Sequence, residues 1–197
     1  MDEELFDESV CARGGWSDDF TTRPSNPPIY QTTAFDLHGV EQLEAVVSGS
    51  ERGYIYTRDG NPNHSAFAQD VAKLEHTDAG AVCASGMAAV SAILLSHLKS
   101  GDHVVAARVL YGRTSQQLEE LAKRFGIEVT FEDSRSPDAM RSAMRDNTKL
   151  CLVESISNPL MEVVDLPALV DAMGDVPVVV DNTFATPCLF RPMEHGA

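Results

Sequence analysis

From Ala79 onward the chain alternates short β-branched or apolar runs with longer stretches in which apolar residues recur at helical spacing. The runs at residues 81–84, His103–Ala107, 127–131, 150–153 and 176–180 predict five strands. Between them Leu118, Leu121 and Phe125 share one helical face that Gly126 ends, and Ser136-Pro137 supplies a cap followed by proline at the first helical position. Strands apolar throughout and separated by helices imply a mostly parallel sheet covered on both faces, with right-handed connections. The expected class is α/β, doubly wound. Ahead of this unit, Asn61-Pro62 caps a predicted helix whose Phe67, Val71 and Leu74 form an expected buried stripe. Residues 1–60 read as an extended arm with few regular elements, punctuated by Arg23-Pro24-Ser25-Asn26-Pro27-Pro28 and by turns at Gly49 and Gly53. Its apolar Ile29, Tyr30 and Phe35 need a surface to cover them, so an oligomer is expected.

Composition narrows the class. With 43 % hydrophobic and 23 % charged residues in 197, the chain can bury an ordinary core as a single globular domain. The longest apolar run, 88–95, is far short of the roughly 18 residues that span a bilayer, so no membrane partner is expected. Residues 1–10 hold five acids and no Lys or Arg, unlike a secretory or transit leader, which points to the cytoplasm. A charge of −15 argues against nucleic acid, and any anionic ligand needs locally positive sites. Cys11, Cys83, Cys151 and Cys188 show no disulfide framework, and three of them sit in apolar stretches where a buried thiol is the ordinary expectation. His38, His64, His76, His97, His103 and His195 lack metal-ligand spacing, so surface or hydrogen-bonded core histidines are expected and no metal.

In an open α/β sheet, ligands bind beyond the carboxyl ends of the strands. Ser85-Gly86-Met87 follows the first predicted strand and opens a helix, where free backbone N–H groups suit a phosphate; a simple Ser-Gly cap is the alternative. The dinucleotide pattern G-x-G-x-x-G is absent, Arg108 rather than an acid follows the second strand, and no P-loop is present. Tyr111 follows the second strand, Asn158 the fourth and Asp181 the fifth, where a carboxylate ending an apolar run calls for a cation or serves as a turn cap. A planar, phosphorylated heteroaromatic ring with a basic nitrogen uses all four loops.

These segments resemble the Cys/Met-metabolism family of pyridoxal-phosphate enzymes, which includes cystathionine γ-synthase, cystathionine lyases, O-acylhomoserine sulfhydrylases and methionine γ-lyase. The matching stretches are Pro28-Ile29-Tyr30-Gln31-Thr32-Thr33, Tyr56-Thr57-Arg58-Asp59-Gly60-Asn61-Pro62, Ala84-Ser85-Gly86-Met87-Ala88-Ala89, Tyr111-Gly112, Glu154-Ser155-Ile156-Ser157-Asn158-Pro159 and Val180-Asp181-Asn182-Thr183-Phe184-Ala185-Thr186-Pro187. The resemblance implies the large domain of a fold-type-I pyridoxal-phosphate transferase over 61–197, preceded by the 1–60 arm making oligomer contacts. It also implies pyridoxal 5'-phosphate as cofactor. Gly86 and Met87 would hold its phosphate, reached by Tyr56 and Arg58 from a neighbouring subunit of a homotetramer with shared sites. Tyr111 would stack on the ring and assist the leaving group, Asn158 would bond the ring hydroxyl, and Asp181, supported by Thr183, would keep the pyridine nitrogen protonated.

The implied chemistry is γ-replacement or γ-elimination on a homoserine ester, cystathionine or methionine, with a Schiff-base lysine moving the Cα proton. Arg113 stands where methionine γ-lyases carry a cysteine, which speaks against a dedicated methionine γ-lyase; Ile156 and Asn63 replace the usual Pro and Thr. None of the 16 residues after Asp181 is Lys, and Lys73, Lys99, Lys123 and Lys149 match no lysine motif. The expectation is therefore the N-terminal half of a longer enzyme, inactive alone, whose last strand forms an exposed sheet edge. The alternative is a catalytically inactive binding or assembly partner of a full-length paralogue.

Overall fold

In the computed structural model, which describes residues 28–197, the chain divides at Asn63/His64 into two compact units. Cys11 and the acidic residues 1–10 lie outside the described residues. In the first unit Ala34 and Tyr56 form an isolated antiparallel bridge. The buried Asn61 side chain accepts from the Asn63 N–H at 2.9 Å and donates to the Tyr30 carbonyl at 3.0 Å, so the expected cap is present. The arm is less irregular than its sequence suggests, because it contains helix α1 (Val40–Val47). Gln42 in the first turn accepts from the His38 N–H at 2.8 Å, which satisfies a donor just ahead of the helix. Helix α2 (Pro62–Glu75) follows, and here the structure corrects the sequence reading: Phe67, Val71 and Leu74 are exposed. Their periodicity makes an apolar stripe, yet nothing in the described residues covers it.

The second unit continues through α3 (Gly86–His97), β1 (His103–Ala107), α4 (Gly112–Phe125), β2 (Glu128–Glu132), α5 (Pro137–Ser142), β3 (Thr148–Glu154), α6 (Leu166–Met173), β4 (Val178–Asp181), α7 (Thr186–Leu189) and a 3-10 turn at Pro192–His195. The sheet is wholly parallel, ordered β2-β1-β3-β4. Helix α3 packs on α4 and α5 packs on α6, as a doubly wound sheet requires. All five residues of β1 are buried and β3 is buried apart from Lys149, which explains their continuous apolar runs. Leu118 and Leu121 enter the core, whereas Phe125, at the frayed end of the same face, is exposed. Gly126 ends α4 at φ +66°, and a Cβ there would meet Ser100 Oγ at 3.0 Å, so the stop needs glycine twice over. Ser136 caps α5 through the Ala139 N–H, with Pro137 behind it.

Four of the five expected strands form. Residues 81–84 do not, since they are exposed with no strand beside them among the described residues, and a strand exists only by pairing. Of the three thiols in apolar stretches only Cys151 is buried, and burial pushes it up to about 12; Cys83 and Cys188 are exposed because their segments lie outside the sheet.

Of the two expectations for the histidines, surface or hydrogen-bonded core, His103 takes the second. Its Nδ1 lies 2.8 Å from Thr148 Oγ1 and its Nε2 2.9 Å from Thr130 Oγ1. Burial first, then the nearby Arg145 charge, lowers its pKa below 6.5, against a smaller opposing effect of Glu128. The unfolded chain therefore takes the proton first, and the stability gained from a neutral His103 is complete above pH 6.5 and lost as pH falls below it toward the lowered value. Urea midpoints should fall with pH in that window more steeply for the unaltered chain than for His103→Gln; parallel curves would contradict this assignment.

Candidate active site

The strand order reverses between β1 and β3, the place in a doubly wound sheet where the loops at the carboxyl ends diverge and leave a crevice. A cavity of about 340 Å³ opens there. Its floor is the start of α3, where Ser85 Oγ accepts from the Ala88 N–H at 3.1 Å and the Ser85 carbonyl accepts from Ala89. The N–H groups of Gly86 and Met87 have no backbone acceptor among the described residues, at the positive end of a 12-residue helix. A Cβ at Gly86 would meet nothing within 4 Å, so the absence of a side chain leaves open space rather than relieving a clash.

Strand ends also line the cavity. Register places Glu154 of β3 directly beside Asp181 of β4. Asp181 Oδ1 accepts from the Thr183 N–H at 3.0 Å and from the Thr183 hydroxyl at 2.5 Å, which fixes the carboxylate on the cavity rim. Ser155 donates from Oγ to Asn182 Oδ1 at 2.8 Å, and Asn182 Nδ2 donates to the Phe190 carbonyl at 2.8 Å, so the two strand ends are tied to each other and to the turn behind them. Tyr111, 43 % exposed at the start of α4, and Asn158 complete the polar and aromatic lining. Val90 and Phe184 supply apolar walls to which the sequence reading gave no role, beside Ile156, which stands where Pro is usual.

Of the residues expected at a site, the structure brings together Gly86, Met87, Tyr111, Asn158, Asp181 and Thr183 around this one cavity. Tyr56 and Arg58 are not among its lining residues: they belong to the first unit, where the Arg58 guanidinium carbon lies 4.9 Å from the Tyr56 ring centroid and Arg58 Nε lies 3.6 Å from Asp59 Oδ1. Among the described residues no Lys, Arg or His lines the cavity.

Glu154 stood in a quoted motif without a role. Its buried carboxylate accepts from the Tyr111 N–H at 2.6 Å through Oε1 and from the Asn158 N–H at 2.8 Å through Oε2. Burial raises its pKa, the two N–H groups pull it back, and the Asp181 charge raises it further. The available signal was the one that marked Asp181, an acid ending an apolar strand run.

A cavity at the switch point of a parallel sheet, with free helix N–H groups on one side and a carboxylate on the other, defines a small-molecule site of the doubly wound α/β class. Residues 8–197 match the model of the family described as Cys/Met metabolism PLP-dependent enzyme, and the chain belongs to that family. It is 43 % identical over 86 % of its length to an L-methionine gamma-lyase of Porphyromonas gingivalis, covering 43 % of that protein. It is 36 % identical over 96 % of its length to a cystathionine gamma-lyase of Bacillus subtilis, covering 48 % of it. A crystal structure assigned as an O-acetylhomoserine (thiol)-lyase of Campylobacter jejuni, carrying N'-pyridoxyl-lysine-5'-monophosphate, superposes with a TM-score of 0.83 at 33 % identity, over 98 % of this chain and 47 % of that one. The chain thus spans about half the length of the relatives it matches.

Proposed function

We propose that this chain is the cofactor-holding part of a longer pyridoxal-phosphate enzyme of sulfur amino-acid metabolism, acting by γ-elimination or γ-replacement on an amino acid such as a homoserine ester, cystathionine or methionine. The observation that carries the reading is the cavity itself: N–H groups at Gly86 and Met87 without a backbone acceptor among the described residues share its lining with the Asp181 carboxylate, chemistry that suits a phosphate at one end of a ring and a basic nitrogen at the other. The residues present fit the group, because Gly86 leaves open space at the helix start and the aromatic Tyr111 offers a face. When bound, pyridoxal phosphate supplies an electron-withdrawing pyridinium ring that accepts the charge developed at a substrate carbon.

The chain's own residues supply the rest. Gly86 and Met87 bind the phosphate, reinforced by the α3 dipole. Asp181, held by Thr183, keeps a proton on the ring nitrogen by making its loss costly. Asn158 orients the ring hydroxyl, and Tyr111 covers one face and stands ready to move a proton at the leaving group. The lysine that the chemistry requires belongs, in this reading, to the remainder of the protein, as the second half of its relatives' length allows. An acidic chain whose cavity draws no cation from the described residues takes the balancing charge from Arg58, with Tyr56, of a neighbouring subunit, so the assembly is a homo-oligomer with shared sites.

Subunit mixing tests that sharing. Arg58→Ala and Asp181→Ala chains each bind pyridoxamine 5'-phosphate poorly, and equal co-assembly should restore about a quarter of the sites, because only half of the sites in mixed pairs draw both groups from unaltered positions. A mixture binding no better than its two components would contradict a shared site.

A further inference from the structure

We infer that Glu154 is a positioning residue that sets the distance between the Tyr111 and Asn158 loops by accepting one backbone N–H from each. The inference rests on the cofactor reading of the cavity and adds a residue to it. Tyr111 follows β1 and Asn158 follows β3, 47 positions apart in the chain, and the contact that fixes one relative to the other runs through the two oxygens of a single carboxylate. A carboxylate suits this task because both oxygens accept, whereas an amide offers one acceptor and one donor. The geometry is bidentate in effect: with Oε1 committed to Tyr111 and Oε2 to Asn158, rotation of the carboxyl group would break one bond to improve the other.

Burying a glutamate costs free energy unless its partners repay it, and here the partners are the two N–H groups rather than a cation. The charged group facing it is Asp181 on the adjacent strand, and Tyr111 is the titratable side chain on the loop it holds. With Asp181 at the same register and no Lys, Arg or His among the described residues of the lining, the cavity rim carries two carboxylates side by side. One is satisfied by backbone and the other presents itself to a ligand.

The first measurement needs no variant. In amide spectra of the unaltered chain, the Tyr111 and Asn158 protons should follow one shared titration whose midpoint lies above the ordinary carboxylate range. Independent curves, or no titration, would overturn the inference. In Glu154→Gln, with fold checked by circular dichroism, one of the two amides should exchange at least about tenfold faster, because the new amide can accept only one of them. Pyridoxamine 5'-phosphate, which needs no lysine to bind, should bind about tenfold or more weakly. Faster exchange with unchanged affinity would overturn the positioning role while leaving the cofactor reading intact. Failure of the unaltered chain to bind this compound would overturn the cofactor reading and the inference with it, an outcome the ligand-free amide titration keeps distinct from a failure of the Glu154 hydrogen bonds.

Discussion

Replacing Asp181 by alanine should lower the affinity of the chain for pyridoxamine 5'-phosphate by roughly 10- to 100-fold, the range expected when a hydrogen bond between charged groups is removed from a partly buried site. The carboxylate stands at the carboxyl end of β4, and its hydrogen bonds from the Thr183 N–H and hydroxyl both fall on Oδ1. Oδ2 is thereby left with lone pairs for a ring nitrogen. Because Asp181 is half-buried, its attraction for a cation is screened less than at the surface and more than in a dry core, which sets the size of the effect. Asp181→Asn should fall between the two, keeping an acceptor without the charge. A phosphorylated benzene analogue that lacks the ring nitrogen should bind the unaltered and Asp181→Ala chains equally. Equal loss for both ligands would mean that Asp181 supports the rim rather than the nitrogen.

The second large effect is on stability. Leu152 is 2 % exposed on the central strand β3, paired in register with Ala106 of β1 and Val179 of β4. Leu152→Ala should cost about 2–5 kcal/mol, because the lost burial adds to the cavity left behind. That is a large share of the roughly 5–15 kcal/mol typical of a domain. The urea midpoint should drop with an unchanged slope, and Leu152→Met should cost much less since it nearly conserves volume. A midpoint shift for Leu152→Ala no larger than that for Leu152→Met would contradict a close-packed centre of the sheet. Leu152 also lies two residues before Glu154, on the same face of the strand, so repacking there moves the base of the proposed site.

Features fixed by near neighbours in the chain were legible from sequence. The Ser136 cap, the left-handed stop at Gly126 and the fully buried β1 are each determined by a few adjacent residues, and each stands where expected. Features that depend on a partner were not. Residues 81–84 have strand composition and no strand to pair with, and the Phe67, Val71 and Leu74 stripe has helical periodicity and no cover among the described residues. Helix α1 was hidden because none of its five apolar residues is fully buried, and the Gln42 bond to His38 supports its start.

The cavity followed the same division. Asp181 and Asn158 could be found because they follow apolar strand runs, and Gly86 because it opens a helix. Glu154 carries the same strand-end signal as Asp181, but its role does not show in the sequence, since its two hydrogen bonds join backbone groups that the β1–β3 pairing brings together. The apolar walls at Val90, Ile156 and Phe184 are ordinary hydrophobic residues until the sheet and α3 set them around one space.

The central claim is that this cavity holds a phosphorylated pyridine between the start of α3 and the end of β4. A crystal structure of the chain with pyridoxamine 5'-phosphate tests it most directly. The account predicts phosphate oxygens within hydrogen-bond distance of the Gly86 and Met87 N–H groups and the ring nitrogen against Asp181 Oδ2. A ligand seated elsewhere, or turned so that its phosphate meets the Asp181 side of the cavity, would contradict it.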